Sequence, residues 1–205
     1  MAQCTICESR KAKRYCTARG EDICAQCCAT EREVSINCPY ECGYLRESRL
    51  HEKRDLTQVE MPHADVQIDQ AFLENAQLVL MLMSAFLNGA LKDAPNATDG
   101  DAREFLEEQV ARWRAAVAGE EKEFVPEGAV ARGIHERFAE KMGPFMSELK
   151  DRESGVFADR VFLGVAVFMT RVAKGHDNGR PHCRSYVHYL RSTFPDAPVG
   201  AEAAE

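Results

Sequence analysis

No run in this chain stays apolar for the roughly 20 residues that a membrane-spanning helix needs. The greasiest stretch, Leu78 to Leu91, is about fourteen residues and carries Ser84, Asn88 and Gly89. Val161 to Met169 is shorter still and lies between Arg160 and Arg171. Both read as buried helices, and no membrane association is expected. The opening Met-Ala-Gln-Cys-Thr-Ile-Cys has no charged lead followed by an apolar run, so no signal peptide is expected and the expected location is the cytoplasm. A positive excess is lacking too. The 26 Lys and Arg are outnumbered by 33 Asp and Glu, for a net charge of -7. Through Glu60 ten basic residues balance ten acidic ones, so the imbalance falls on residues 61–205, with 16 basic and 23 acidic side chains. A mildly acidic chain is a poor general match for a polyanion, so any nucleic-acid contact needs a local patch.

Enzyme signatures are missing as well. There is no glycine-rich phosphate loop, no G-x-S-x-G elbow, no H-E-x-x-H helix and no dinucleotide fingerprint. Three histidines between 176 and 188 suggest acid–base work, but His182 and His188 fall about 120° apart around a helix and do not converge. No strand alternation stands out beyond the first 45 residues, and no repeat of solenoid length is present.

What the chain has in abundance is cysteine at its N-terminus. Eight of its nine cysteines lie within the first 42 residues, as Cys4-x2-Cys7, Cys16, Cys24-x2-Cys27-Cys28 and Cys38-x3-Cys42. In a reducing compartment, clustered cysteines point to metal ligands rather than disulfides, and an odd total fits a fully paired disulfide framework poorly. Cys-x2-Cys aims two thiolates at one ion, and tetrahedral zinc takes four ligands, so eight cysteines make two zinc sites. Neighbouring side chains diverge, so Cys27 and Cys28 should serve different ions. The simplest partition joins Cys4, Cys7, Cys24 and Cys27, leaving Cys16, Cys28, Cys38 and Cys42. The sites would then interleave in a treble-clef or cross-brace-like module, similar to B-box and HIT-type fingers. The ferredoxin run of an iron–sulfur protein is absent. Redox switching at Cys27-Cys28 is the other alternative. All-thiolate zinc sites are closed, and that points to structure rather than catalysis. His51, nine residues beyond Cys42, reads as an exposed residue on a charged helix.

Two basic patches could meet a partner. Arg10, Lys11, Lys13, Arg14 and Arg19 occupy a stretch without acids, suited to phosphate or to offsetting the negative charge of four-thiolate zinc. Near the other end, Asn178-Gly179 signals a turn and Pro181 suits the start of a last helix, on which Arg184, His188 and Arg191 share one side. That stripe could grip an anionic partner or the acidic Asp101–Glu108 stretch of the same chain. A loop presenting Asn178 and Arg180 beside it is the best candidate contact. Cys183 falls on the apolar face and reads as core.

Residues 1–45 contain too little apolar bulk to fold without metal. Residues 46–66 read as a charged helix running into a linker, and 196–205 as a disordered tail. Between them, 67–195 carry a helical period. Phe72 to Leu91 is apolar nearly all round. Ala102, Leu106, Val110, Trp113 and Val117 form a second stripe, with Thr98 or Asp99 to cap it and Gly119 to end it. Val130, Ile134, Phe138, Phe145 and Leu149 form a third, which Pro144 should kink or break. Val156 to Val172 and Cys183 to Phe194 complete five helices. The class is mainly α: a small zinc module followed by a helical bundle.

The run from Ile23-Cys24-Ala25-Gln26-Cys27-Cys28 to Cys38-Pro39-Tyr40-Glu41-Cys42 resembles an uncharacterised family of bacterial proteins with an N-terminal Cys-rich finger and a helical remainder. The ending Asn178-Gly179-Arg180-Pro181, Tyr189-Leu190-Arg191 and Phe194-Pro195 is similar to that family's. The resemblance implies this domain plan and a bacterial cytosol, and it carries no activity. The expected function is a non-enzymatic zinc-binding adaptor or scaffold for an unidentified protein partner. RNA or DNA binding through 10–19 and 180–191 is one alternative, and a redox sensor or enzyme is another.

Overall fold

The computed structural model describes residues 2–52, 59–152 and 155–194, with side chains of 148–157 outside that description. Residues 53–58 of the expected linker, Leu149 and Val156 as core side chains, Pro195, and the expected tail 196–205 therefore lie outside the described residues.

The chain is mainly helical, with a small N-terminal module in front of a bundle. The module holds a two-stranded antiparallel sheet, β1 (Arg14–Cys16) and β2 (Glu21–Ile23), followed by α1 (Ala25–Glu31) and α2 (Gly43–His51). The turn between the strands closes on the Cys16 carbonyl, which accepts from the amides of Arg19 and Gly20; Gly20 takes φ +69°, open to glycine at no steric cost. The module buries Ile23, Ile36 and Leu45 with its cysteines, little apolar mass for a fold of its own.

The bundle comprises α3 (Gln70–Asn75), α4 (Gln77–Lys92), α5 (Asp99–Val117), α6 (Ala129–Arg152), α7 (Gly155–His176) and α8 (Ser185–Thr193). α5 packs chiefly on α7 and α4 on α6, around a core that includes Leu87, Leu91, Phe105, Leu106, Phe162 and Val165. Trp113 stacks on Phe162 at 4.6 Å, and Phe105 meets Phe138 edge-on at 4.9 Å. Thr98 caps α5 in a reciprocal box with Asp101, and Gly119 ends the helix at φ +75°. No helix among the described residues is long and apolar enough to cross a membrane.

Four expectations change. Phe72–Leu91 falls in two helices divided at Ala76, and the Phe72 ring lies against Gly164 of α7, where a Cβ would stand 2.3 Å from it. Pro144 does not interrupt α6, which continues as a helix on both sides of it. On α6 the buried face is Ala131, Ile134, Phe138 and Met142, while Val130 at the first turn is 38% exposed. The last helix begins at Ser185 rather than near Pro181, because Asp99 of α5 accepts from the amides of Tyr186 and Val187 and fixes the start there.

Candidate metal centre

The first thiol group is built by two tight turns. Cys4 and Cys7 flank a turn in which the Glu8 amide donates to the Cys4 carbonyl at 2.8 Å. Cys24 is the N-cap of α1, and its Sγ accepts from the Cys27 amide at 3.3 Å. Cap and third residue share one side of a helix, so Cys24 and Cys27 point the same way. The Sγ atoms of Cys4, Cys7, Cys24 and Cys27 all lie within 4.8 Å of one another. Zn–S bonds of about 2.3 Å in a tetrahedron place sulfurs roughly 3.8 Å apart, so the group is compatible with one zinc ion.

The electrostatics suit a dication. The hydroxyl and amide of Ser9, with the Arg10 amide, lower the Cys7 thiol to about 5. The Cys27 amide lowers Cys24, while burial and the neighbouring cysteines push Cys27 up to about 12. A bound cation offsets the repulsion between crowded thiolates. The Arg10 guanidinium donates to Cys24 Sγ at 3.6 Å and to Cys27 Sγ at 3.9 Å. The groups that would hold zinc are thus also backed by amide donors and a compensating charge.

Cys28 follows Cys27 and sits about 100° further round α1. It shares the module's interior with Cys16, Cys38 and Cys42, but these four thiols do not close to the same distance. They come from separate places: the end of β1, α1, the turn before α2, and the α2 N-cap. Guanidinium groups of Arg14 and Arg32 donate to Cys28 Sγ at 3.4 and 3.7 Å. The Cys38 thiol is pushed up to about 11, chiefly by burial, with Cys42 and Cys16 adding to the effect.

The module is docked on the bundle by Glu33. This residue takes φ +55° and is fully buried, and its carboxylate accepts from Arg49 Nη2 at 2.6 Å, the Arg184 amide at 3.0 Å and Asn178 Nδ2 at 3.0 Å. Its carbonyl accepts from the His182 amide at 2.9 Å. Arg184 is buried alongside, donating to the carbonyls of Ala97, Asn96 and Cys38 at 2.8, 3.0 and 2.5 Å. Further along α8, Tyr40 lies between His188, stacked at 4.2 Å, and the Arg191 guanidinium at 4.5 Å.

The candidate contact residues therefore divide. Arg10 and Arg14 are directed at thiols, and Lys11 and Lys13 stand exposed. Asn178, Arg184, His188 and Arg191 face the chain's own module, and Arg180 donates to the Arg32 carbonyl at 3.3 Å. The α8 stripe grips this module rather than the acidic Asp101–Glu108 stretch. Cys183 is core: it is buried, and its Sγ donates to Asp99 at 3.1 Å. Glu33, Tyr40 and Arg49 were not expected to carry the seam, nor Asp99 to join α5 to α8. Glu33 sits in a run of charges that reads as surface, and only the unpaired polarity of the α8 stripe hinted at a partner within the chain. No family model, curated protein or solved structure matches the chain.

Proposed function

We propose that the chain is a non-enzymatic zinc-stabilised scaffold in which two metal ions hold the N-terminal module rigid against the bundle. Cys4, Cys7, Cys24 and Cys27 take one ion, and Cys16, Cys28, Cys38 and Cys42 take the second after closing around it. In support of the second site, Cys28 and Cys38 are buried in one cluster, Cys16 and Cys42 pack against it, and Cys38 feels the charge of the latter two. A four-thiolate shell leaves no coordination position open for substrate, which favours a structural role. The observation that carries the reading is the buried Glu33–Arg184 seam: a finger so attached is a wall of the molecule, not a tethered probe.

The outward side of the module is then the surface on offer to a cytoplasmic protein partner. Lys11, Lys13 and Tyr15 are exposed at alternate positions leading into β1, so they project to one side. Crosslinking of the full-length, zinc-loaded protein in a lysate should capture a defined partner that is lost with Lys11→Glu, Lys13→Glu and Tyr15→Ala together. Retention of no partner, or of partners insensitive to that change, would count against the scaffold reading.

A second reading, RNA or DNA binding, draws on the same trio, two exposed lysines followed by an exposed aromatic ring. It calls for affinity that falls steeply with salt and disappears on charge reversal at Lys11 and Lys13.

A further inference from the structure

The chain holds two Asn-Gly pairs, Asn88-Gly89 and Asn178-Gly179. Asparagine before glycine is the pair most open to spontaneous deamidation, because no side chain shields the glycine amide from the neighbouring carboxamide. The glycine nitrogen gives up its proton and attacks the asparagine Cγ. The Cγ–Nδ2 bond breaks, ammonia leaves and a succinimide ring closes. Water then opens the ring to an aspartyl or isoaspartyl residue. The net change is amide plus water to carboxylate plus ammonium, with nothing oxidised or reduced.

Asn178 lies in the seam, and its carboxamide is held at both ends. Oδ1 accepts from the Arg180 amide and Nδ2 donates to Glu33 Oε2, each at 3.0 Å. The Gly179 amide donates to Asp177 Oδ1 at 2.9 Å, while the other oxygen of Asp177 pairs with Arg103 and Lys174. A carboxylate on this N–H opposes loss of the proton that the attack requires. Gly179 itself is exposed at φ +73°, so the pair stands at the surface, open to water. Docking therefore restrains both reacting groups, and release of the module frees them. Asn88 is the internal contrast. It is fully buried inside α4 and donates to the Phe194 carbonyl at 2.9 Å.

The product does not fit the docked seam. Glu33 has no solvent exposure, and a carboxylate at position 178 would face it where a donor now stands. Two like charges at that distance, away from water, oppose each other strongly. We propose that Asn178 is a deamidation site closed by docking, and that its conversion after release prevents the module from docking again. The inference rests on the Glu33 seam of the scaffold reading and requires neither a metal ion nor a macromolecular partner.

The test incubates the full-length protein at mildly alkaline pH in four forms: zinc-loaded, chelated, Glu33→Ala, and unfolded in urea. Peptide mapping by mass spectrometry follows Asn178 and Asn88. Exchange of the His182 amide, which donates to the Glu33 carbonyl, follows the seam. Asn178 should convert at least about tenfold faster in the released forms than in the docked protein, which reacts only through its open fraction. Asn88 should convert in urea alone. Asn178→Asp, which stands for the aspartyl product, should raise His182 exchange at least about tenfold above Asn178→Ser and leave the core of α5 and α7 protected. A response to Glu33→Ala but not to chelation would support this inference and count against the metal reading. The proposal is overturned if Asn178 converts equally fast in docked and released protein, or stays intact where His182 exchange shows release. It is also overturned if neither chelation nor Glu33→Ala raises that exchange, or if Asn178→Asp docks as firmly as Asn178→Ser.

Discussion

A carboxylate with no solvent contact survives only where donors surround it, and Glu33 has them from Arg49, Asn178 and the Arg184 amide. Removing it strands Arg49 and the Arg184 amide at once. Glu33→Ala should therefore cost about 3–5 kcal/mol, read as the shift in chemical denaturation at fixed zinc. His188 gives a pH dependence of stated sign. Burial, then Arg49, pull its pKa from 6.5 to about 4, so between those values the unfolded chain binds the extra proton. The stability carried by the neutral ring is complete above pH 6.5 and is lost as pH falls toward 4. His188→Phe should flatten that loss; thiolate protonation acts on both proteins and cancels in the difference. An equal slope in the two proteins would remove His188 as the cause. At this scale the grouping of Cys4, Cys7, Cys24 and Cys27 was legible because Cys-x2-Cys spacing turns two thiols to one side. Glu33 was not, since a buried acid is distinguished only by the donors that folding brings to it from α2 and the segment before α8.

Between elements, the informative contact is one side chain serving two helices. Asp99 is the first residue of α5, yet its carboxylate accepts from the Tyr186 and Val187 amides and from Cys183 Sγ, at 2.9, 3.0 and 3.1 Å, and so caps α8. Asp99→Asn keeps the shape and loses the charge on these bonds. It should cost about 2 kcal/mol and raise amide exchange in the first turn of α8. Unchanged exchange there would show that α8 is held by its module contacts alone. Gly164 tests the packing of α3 on α7. A methyl at this position meets the Phe72 ring at 2.3 Å, so Gly164→Ala should destabilise by about 1–3 kcal/mol despite its better helix propensity. Helix existence was legible from the 3.6-residue period in α5 and α8 and from the long apolar runs that became α4 and α7. Boundaries were less so. The late start of α8 is set by Asp99, a residue of another helix that local pattern does not connect to it.

For the whole molecule, the seam couples metal binding to the order of a helix far away in sequence. Arg184 Nη1 donates to the carbonyl of Cys38, and Tyr40, between Cys38 and Cys42, is held by His188 and Arg191 of α8. The module has little apolar core of its own, and on the proposed reading bound zinc makes up the difference, since structural zinc typically supplies on the order of 10–16 kcal/mol in finger peptides. Chelation should therefore unfold the module and, through Cys38 and Tyr40, loosen α8. The core shared by α5 and α7 does not touch the module through these bonds and should keep its protection. Hydrogen exchange before and after chelation distinguishes this from a loosely tethered finger, for which α8 would not respond. Metal analysis then divides the thiols. Two equivalents of zinc are expected; Cys27→Ser should release the ion of the Cys4 group and Cys28→Ser the other, each leaving one. If the native protein holds a single equivalent and Cys28→Ser does not lower it, Cys16, Cys28, Cys38 and Cys42 are not a metal site. The pairing of Arg14 and Arg32 with Cys28 would then be what holds that half of the module together.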